Sequence, residues 1–267
     1  LPALLSQGLL KTKEIYEFPQ NHYYGLESVV LTLAFMALAR IKNPEQLKQC
    51  KPGEIGRLIG LDRTPEVKCL RGKIKLLASQ GQAQELNRRL IDEWYKNNPA
   101  GNGAFLYIDG HQRIYYGNKA NLPSKYISRQ KLCLAATTEY WVHDGTGQPV
   151  LKVMGELTEK LEQAIEEQII PELQKTVLLP EACSYEAVDP KVTSPVCTLI
   201  FDREGYHPSF FQKLWDRYRI AVITYRKNTQ DKWPNDDFKQ MEVNVLDQLV
   251  NMNICEKEIR LDGTLFR

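Results

Sequence analysis

Two aspartates follow apolar, β-rich stretches of this 267-residue chain. Asp109 comes after Ala104–Ile108, and Asp202 comes after Val196–Phe201. Both stretches predict buried strands, and a charge at the end of a buried strand is costly unless it has a partner. On neighbouring strands the two carboxylates would hold Mg²⁺ or Mn²⁺ between oxygen ligands, as metal-dependent phosphoryl transfer requires. Each aspartate taken alone is equally compatible with a turn.

The elements that would position these aspartates begin at residue 104. Strands are predicted over 104–116, 131–142, 150–157, 196–201 and 220–225. The first of these segments is either one long strand bent at Asp109-Gly110 or two strands. The turn at 143–149 makes the first three strands antiparallel neighbours. Helices are predicted between the later strands, one capped by Thr158 and running to Gln174 and one opened by Pro208. A loop over 179–194 separates the first helix from the fourth strand, and weaker strand signals follow at 240–246 and 255–261.

This element order predicts a fold class as well as a site. Three antiparallel strands followed by helix, strand, helix and strand predict a mixed α/β sheet with helices on its faces. The order is that of a ribonuclease-H-like fold. In that fold the first and fourth strands lie side by side, so we expect Asp109 and Asp202 to face one another.

Residues 1–100 are predicted to form a helical N-terminal domain, joined by a linker at 97–101 to the sheet domain over 101–267. Leu26–Arg40 is apolar nearly all round and predicts a core helix. A short helix from Pro52, a turn over 60–64 and a second helix opening at Pro65 suggest a helix-turn-helix. The second helix carries a basic set that predicts contact with double-stranded DNA, although a solvated helix face shows the same pattern: Lys68, Arg71, Lys73 and Lys75.

Four blocks of the second half of the chain stand in a specific order and spacing: Phe105-Leu-Tyr-Ile-Asp-Gly-His-Gln-Arg-Ile-Tyr-Tyr-Gly117, Leu132-Cys-Leu-Ala-Ala-Thr-Thr-Glu-Tyr-Trp-Val-His-Asp144, Leu199-Ile-Phe-Asp-Arg-Glu-Gly-Tyr206 and Ile223-Thr-Tyr-Arg-Lys-Asn228. They resemble blocks of bacterial insertion-sequence transposases of the Asp-Asp-Glu type, and the segment 59–75 resembles their N-terminal part. The resemblance implies a ribonuclease-H-like catalytic core, a divalent metal, and cleavage and joining of transposon ends. It also implies transposon-end and target DNA as partners, and a homo-oligomer.

On this resemblance Asp109 and Asp202 are the first two acids of a catalytic triad. The third acid of such transposases is a glutamate on a helix well after the last strand, and no matching segment precedes Arg267. The glutamates that remain lie in strand-like surroundings: Glu242, Glu256 and Glu258. We therefore expect a C-terminally truncated fragment that ends before its third acid, or a degenerate gene copy.

Several cations and aromatic residues surround the predicted site. Arg203, Arg226 and Lys227 are candidates for DNA phosphate contact, with a salt bridge of Arg203 or ordinary solvation as equal alternatives. His111 shares a strand face with Asp109 and is expected to be packed or solvated rather than bound to metal. A basic stretch with interleaved tyrosines predicts either backbone contact or a solvated hairpin edge: Lys119, Lys125, Arg129 and Lys131. Trp141 and Trp215 are expected in the core.

Bulk properties narrow the functional classes. The net charge of +2 argues against a wholly basic DNA-coating protein but allows a local basic face. No apolar run approaches the roughly 20 residues that cross a bilayer, so no membrane partner is expected. Six scattered cysteines without a CxxC pair predict reduced thiols, an intracellular protein and no zinc site. The resemblance to transposases implies a cytoplasmic protein associated with the nucleoid.

Three functions remain open from the sequence. The first is a metal-dependent DNA transposase. The second is a transposase remnant that binds DNA without turnover. The third is another ribonuclease-H-like nuclease that acts on RNA or structured DNA.

Overall fold

The computed structural model describes residues 2–96, 104–179, 195–227, 233–245, 248–261 and 264–266. Contacts divide the chain into two units, of which the first holds Leu1–Gly101, Val150–Lys152 and Ile169–Glu181, and the second holds Asn102–Pro149, Val153–Gln168 and Ala182–Arg267. The predicted linker at 97–101 and the predicted loop beyond Leu179 lie outside the described residues. The placement of a functional domain boundary at residue 100 stays a prediction.

Helices make up the ordered structure before residue 97. They are α1 Pro2–Ser6, α2 Thr12–Ile15, α3 Leu26–Leu38, α4 Pro52–Leu58, α5 Val67–Ser79 and α6 Ala83–Tyr95, with 3₁₀ segments at Leu9–Lys11 and Pro44–Gln49. The Asn43 side chain accepts a hydrogen bond from the Gln46 amide and caps the second 3₁₀ segment, because a short polar side chain satisfies the unpaired amides of a first turn.

A buried apolar cluster holds α3 and α5 together. Val29 and Met36 of α3 pack with Leu47 and with Leu70 of α5. This confirms the predicted core helix, although one side of it faces water, since Leu38 is 64% exposed. Apolar residues at helical spacing drive such packing by leaving water together.

The helix, turn and helix predicted from residue 52 are present as α4, a turn and α5. Gly56 is needed in α4 because a Cβ there would lie 2.5 Å from the Arg63 Cα, so that only glycine lets the helix approach the turn this closely. The structure corrects the predicted basic face of the second helix at Lys73. Lys73 follows Leu70 by three residues, shares its buried face and is only 6% exposed.

A mixed sheet forms the other part of the fold. Its strands are β1 Ala104–Ile114, β2 Ser124–Ile127, β3 Leu132–His143, β4 Pro149–Glu156, β5 Cys197–Phe201 and β6 Ile220–Ile223. β1 is antiparallel to β3 and parallel to β5, and β5 is parallel to β6. β2 and β4 each pair with β3. Apart from the short β2, which the sequence analysis did not predict, the order β4–β3–β1–β5–β6 is the predicted ribonuclease-H-like order.

Helical segments connect the parallel strands. Between β4 and β5 lie α7 Leu161–Ala164, a π-helical segment Ile165–Ile169 and α8 Ile170–Leu173. A 3₁₀ turn Arg203–Gly205 and α9 Pro208–Tyr218 return the chain from β5 to β6, since parallel neighbours need a crossover. Two hairpins follow, β7 Lys239–Val245 with β8 Gln248–Ile254 and β9 Ile259–Leu261 with β10 Thr264–Phe266.

Asp109 does not end a strand, although its place after the apolar run Ala104–Ile108 suggested that it would, because β1 is one strand over Ala104–Ile114. The ladder between β1 and β3 continues past it, from Asp109 opposite Trp141 to Ile114 opposite Ala136. Gly110 permits this continuation because a Cβ at its position would lie only 3.2 Å from the Tyr140 ring. Asp109 is therefore held at the middle of a regular strand, with exposed residues on its face.

Other local predictions also need correction. Thr158 does not cap a helix, because α7 begins at Leu161 after Lys160. The strand signal at 255–261 is confirmed only over its last part, as β9 Ile259–Leu261, and β8 Gln248–Ile254 was not predicted. Trp141 and Trp215 are half-buried rather than in the core. The Trp141 ring stacks on His143 with centroids 6.3 Å apart, and the Trp215 ring centroid lies 5.2 Å from the Arg219 guanidinium.

Among the described residues, no helix has the length and apolar character to pass through a membrane.

Candidate active site

Asp109 and Asp202 lie at neighbouring positions of adjacent parallel strands. The register of β1 and β5 pairs Ile108 with Phe201, and each aspartate is the next residue along the chain. Adjacent strands are roughly 4.8 Å apart, which places the two backbones side by side. Both carboxylates line one cavity of about 700 Å³, and both residues are exposed.

The two carboxylates have different surroundings. Asp109 has no hydrogen-bond or ion-pair partner among the described residues. Asp202 accepts a hydrogen bond on Oδ1 from the Glu204 amide at 2.9 Å, and its backbone carbonyl accepts another from the Thr224 hydroxyl at 2.9 Å. These bonds orient Asp202 and leave its second carboxylate oxygen for a ligand.

Some of the predicted cations reach this cavity and others do not. Lys227 lines it and donates a hydrogen bond from Nζ to the Glu204 carbonyl at 3.2 Å. Lys125 and Arg129, at β2, line it as well. Several predicted residues lie outside its lining: Arg203, Arg226, His111, Lys119 and Lys131. Within the described residues, Arg203 forms no salt bridge with Asp202.

A histidine that the sequence analysis did not single out lies at the same cavity. His207 Nδ1 is 2.5 Å from Glu162 Oε2, and its Nε2 is 3.2 Å from the Ser209 hydroxyl. The two contacts fix the orientation of the imidazole ring. The only sequence signal was its place before the helix-opening Pro208, because Glu162 comes from a different element.

A buried tyrosine borders the cavity beneath these polar groups. Tyr140 donates a hydrogen bond to the Glu159 carbonyl at 3.2 Å. Burial, together with the negative charges of Glu159 and Glu204, raises the pKa of Tyr140 to about 12. Its side chain is therefore a neutral phenol at physiological pH.

The side chains at this cavity can be compared with the ligands that a divalent metal ion requires. Within the described part of the chain, no three His, Cys, Asp or Glu side chains are arranged around one point as a metal site. The glutamates considered as a third acid do not line the cavity: Glu242, Glu256 and Glu258. Two carboxylates with free oxygens fit Mg²⁺, which commonly binds one or two carboxylates together with water and substrate phosphate.

A second cationic feature lies on α5 in the first unit. Lys68, Arg71 and Lys75 are exposed and recur at a spacing that places them along one helix face. Arg71 also forms a salt bridge of 2.8 Å with Glu45, which offsets part of its charge. We call these three residues the α5 stripe.

Comparisons with known proteins found one protein family and one solved structure to which the chain is similar. The sequence profile of a protein family described as "Transposase protein" matches residues 1–264. No curated protein matches the sequence significantly. The chain also aligns with a solved structure, the Mos1 transposase paired-end complex with left transposon end, at 9% sequence identity and a TM-score of 0.26. That alignment covers 78% of this chain and 60% of the Mos1 chain, so the chain spans less than two thirds of its length.

Proposed function

Since this chain belongs to a family of transposase proteins, we propose that it is a DNA transposase of the bacterial insertion-sequence, Asp-Asp-Glu type that cleaves and joins DNA strands with Mg²⁺ or Mn²⁺. One observation carries the proposal. Asp109 and Asp202 each follow by one residue the paired residues Ile108 and Phe201 of adjacent strands, and both line the same cavity. Carboxylate pairs of this kind are the protein ligands of metal-dependent phosphodiester chemistry.

The residues of the chain have separate roles in this proposal. Asp109 and Asp202 would hold the metal through their free oxygens, and the Glu204 amide keeps Asp202 in position. The metal, when bound, stabilises the charge that develops on the phosphate and on the leaving 3′ oxygen. Lys227 supplies a positive charge at the cavity, where it can contact a DNA phosphate.

Duplex DNA is the proposed substrate and partner. The α5 stripe gives the first unit an exposed basic face, and phosphate contacts of this type position a protein on DNA. Arg203 and Arg226 are proposed to contact DNA near the carboxylates, although they do not line the cavity. We further propose that the protein pairs two transposon ends as a homo-oligomer and acts at the bacterial nucleoid.

The test is plasmid nicking by the purified chain with Mg²⁺ or Mn²⁺. We expect Asp109→Asn and Asp202→Asn to lower the nicking rate by about a hundredfold or more, because each removes a charged metal ligand. DNA binding should persist in both variants. Asp216→Asn is the matched control, since this exposed α9 carboxylate does not line the cavity.

Each alternative has its own outcome. Nicking by Asp109→Asn or Asp202→Asn at the rate of the unchanged protein would refute the proposed site. DNA binding without nicking under either ion would identify the remnant that binds but does not cut. Cleavage of RNA or structured DNA without preference for one transposon end would identify another nuclease of the same fold.

A further inference from the structure

A second cavity, of about 680 Å³, lies in the first unit. The side chains that give it its character are aromatic or cationic: His22, Tyr23, Tyr24, Arg63 and Lys73. None of the described residues that line it is an aspartate or a glutamate. The cavity is therefore electropositive and partly aromatic, in contrast to the acidic cavity around Asp109.

Lys73 is the unusual member of this set. The residue is 6% exposed, and its ammonium donates to His22 Nδ1 at 2.9 Å and lies 4.6 Å from the centroid of the Phe18 ring. Among the described residues it has no carboxylate partner. A nitrogen lone pair and a ring face solvate an ammonium in part, but neither cancels its charge. A buried charge of this kind is stabilised by a counter-ion, so the site suits an anionic ligand.

Arg63 adds a second cation to the cavity. It lies in the turn between α4 and α5 and has no carboxylate partner within the described residues. The Tyr24 hydroxyl lies 3.4 Å from the Arg63 carbonyl and 3.3 Å from the Thr64 carbonyl. These contacts hold the turn against the aromatic side of the cavity. Lys73 and Arg63 thus give the same cavity two cations, the groups that form charge-assisted hydrogen bonds with phosphate oxygens.

Tyr23 provides an exposed ring beside the two cations. It is 79% exposed, whereas Tyr24 is buried. The rings lie at 88° to each other with their centroids 4.8 Å apart, so that the edge-to-face contact supports Tyr23 from one side. An exposed aromatic ring next to cations is the usual platform for a stacked nucleobase.

We propose that this cavity binds a single unstacked nucleotide of a DNA strand, with its phosphate at Lys73 and Arg63 and its base on Tyr23. The site is separate from the α5 stripe, because Lys73 faces the buried side of α5 whereas Lys68, Arg71 and Lys75 face solvent. It does not depend on cleavage, since a protein that binds DNA without cutting it would use the cavity in the same way.

The test is calorimetric titration of the full chain at 150 mM salt with three probes: a (dT)₄ oligonucleotide, thymidine 5′-monophosphate and inorganic phosphate. Lys73→Met should lower the affinity for all three probes by about tenfold or more, because it removes a charge-assisted contact while keeping the aliphatic part of the side chain. Tyr23→Ala should weaken the two nucleotide probes by about tenfold and leave phosphate binding unchanged. The oligonucleotide should bind more tightly than the monophosphate.

Two controls separate the site from general effects. Lys48→Met removes the same charge from an exposed lysine of the same unit that lies outside both this cavity and the α5 stripe, and we expect it to change the affinity for each probe by less than about twofold. Thermal unfolding checks that Lys73→Met is folded. Its unfolding midpoint should equal or exceed that of the unchanged chain, since an uncompensated buried charge has been removed.

Four results would overturn the proposal. The first is no binding of any probe to the unchanged chain, and the second is an equal loss of affinity in Lys73→Met and Lys48→Met. The third is nucleotide binding that is no tighter than phosphate binding, and the fourth is equal affinity for the monophosphate and the oligonucleotide. The last result would make a free nucleotide the ligand. Asp109→Asn should bind all three probes normally, so that failure here and failure of the cleavage proposal can be told apart.

Discussion

At the scale of single residues, the cavity around Asp109 combines fixed and unfixed groups. Asp202 is oriented by the Glu204 amide, and His207 is oriented by Glu162. Asp109 has no partner among the described residues. Beneath them, Tyr140 is buried and donates to the Glu159 carbonyl. The side chains of Asp202 and His207 are thus oriented before a ligand binds, as in preorganised catalytic sites.

We expect Tyr140→Phe to lower the free energy of unfolding by about 1 kcal/mol at pH 8, because it removes one buried hydrogen bond. The pKa of Tyr140 is raised above its ordinary value of 10.0 to about 12. Its neutral form therefore stabilises the folded protein fully below pH 10, and this contribution is lost as the pH rises through 12. The variant should lose stability less steeply than the unchanged protein between pH 10 and 12.

Urea unfolding across this pH range measures both effects. Tyr126→Phe is the control, since Tyr126 of β2 is 56% exposed and its hydroxyl has no hydrogen-bond partner among the described residues. If the free energy of unfolding of Tyr140→Phe falls between pH 10 and 12 as steeply as that of the unchanged protein, another group causes the alkaline loss of stability.

At the scale of elements, one carboxylate links two helices of the first unit. Glu172 of α8 lies 3.0 Å from Arg88 Nε of α6 and 2.8 Å from Lys175 Nζ. Burial acts to raise the pKa of Glu172, but the hydrogen bonds from Lys175 and Arg88 outweigh it, and the pKa is lowered overall. The ion pair therefore favours the folded state when Glu172 is charged.

We expect Glu172→Gln to destabilise the protein by about 1 kcal/mol at pH 7, since a charge-assisted contact is lost at a partly screened site. A lowered pKa stabilises the folded protein above the unfolded value, near 4.5, and this contribution disappears as the pH falls through the folded value. The difference in the free energy of unfolding between Glu172→Gln and the unchanged protein should become smaller in the same pH range.

Denaturant titrations at pH 7, 5 and 3 follow the change. Glu54→Gln removes an exposed carboxylate that pairs with Lys51 at 3.0 Å, and it should have almost no effect at any of these pH values. A constant difference between Glu172→Gln and the unchanged protein down to pH 3 would show that packing, and not charge, is responsible.

At the scale of the whole molecule, charge is almost balanced. The 35 Lys and Arg residues exceed the 33 Asp and Glu residues by two. A field from the net charge would attract DNA only weakly, so affinity has to come from local basic faces. The α5 stripe is one such face, and Lys125, Arg129 and Lys227 supply single cations among the carboxylates of the cavity around Asp109.

We expect the triple variant of Lys68, Arg71 and Lys75 to alanine to bind duplex DNA more weakly and with a smaller salt dependence. Each lost phosphate contact should reduce the slope of log affinity against log salt by about 0.9. Arg71 should contribute less than the lysines because Glu45 neutralises part of its charge. Fluorescence anisotropy with a labelled duplex between 50 and 200 mM salt gives the slope.

A charge-matched control tests whether the position of the cations matters. Lys42, Lys48 and Lys51 are exposed lysines of the same unit that lie outside the α5 stripe, and their triple alanine variant removes the same number of charges. If it flattens the salt dependence as strongly as the α5 variant does, total charge rather than the α5 face controls DNA binding.

Local pattern was sufficient to predict much of this fold. β1, β3 and β5 contain β-branched and aromatic runs, and α3 is apolar nearly all round, so that short-range preferences and the tertiary structure agree. Strand order then predicted that β1 and β5 would be neighbours, which is confirmed. β2 was missed because its four residues carry a weak signal and are strand-like only when paired with Leu132–Ala135 of β3.

The sequence by itself determined the residue types, the order of the strands and the one-residue step from each apolar run to Asp109 or Asp202. Only the tertiary structure decided which side chains meet. Glu162 reaches His207 across 45 positions of the chain, and His22 reaches Lys73 across 51. Helical spacing places Lys73 with Leu70, but the groups around its ammonium come from a distant segment. The reason is physical, since periodicity specifies the face of an element, whereas contacts depend on the elements that pack against that face.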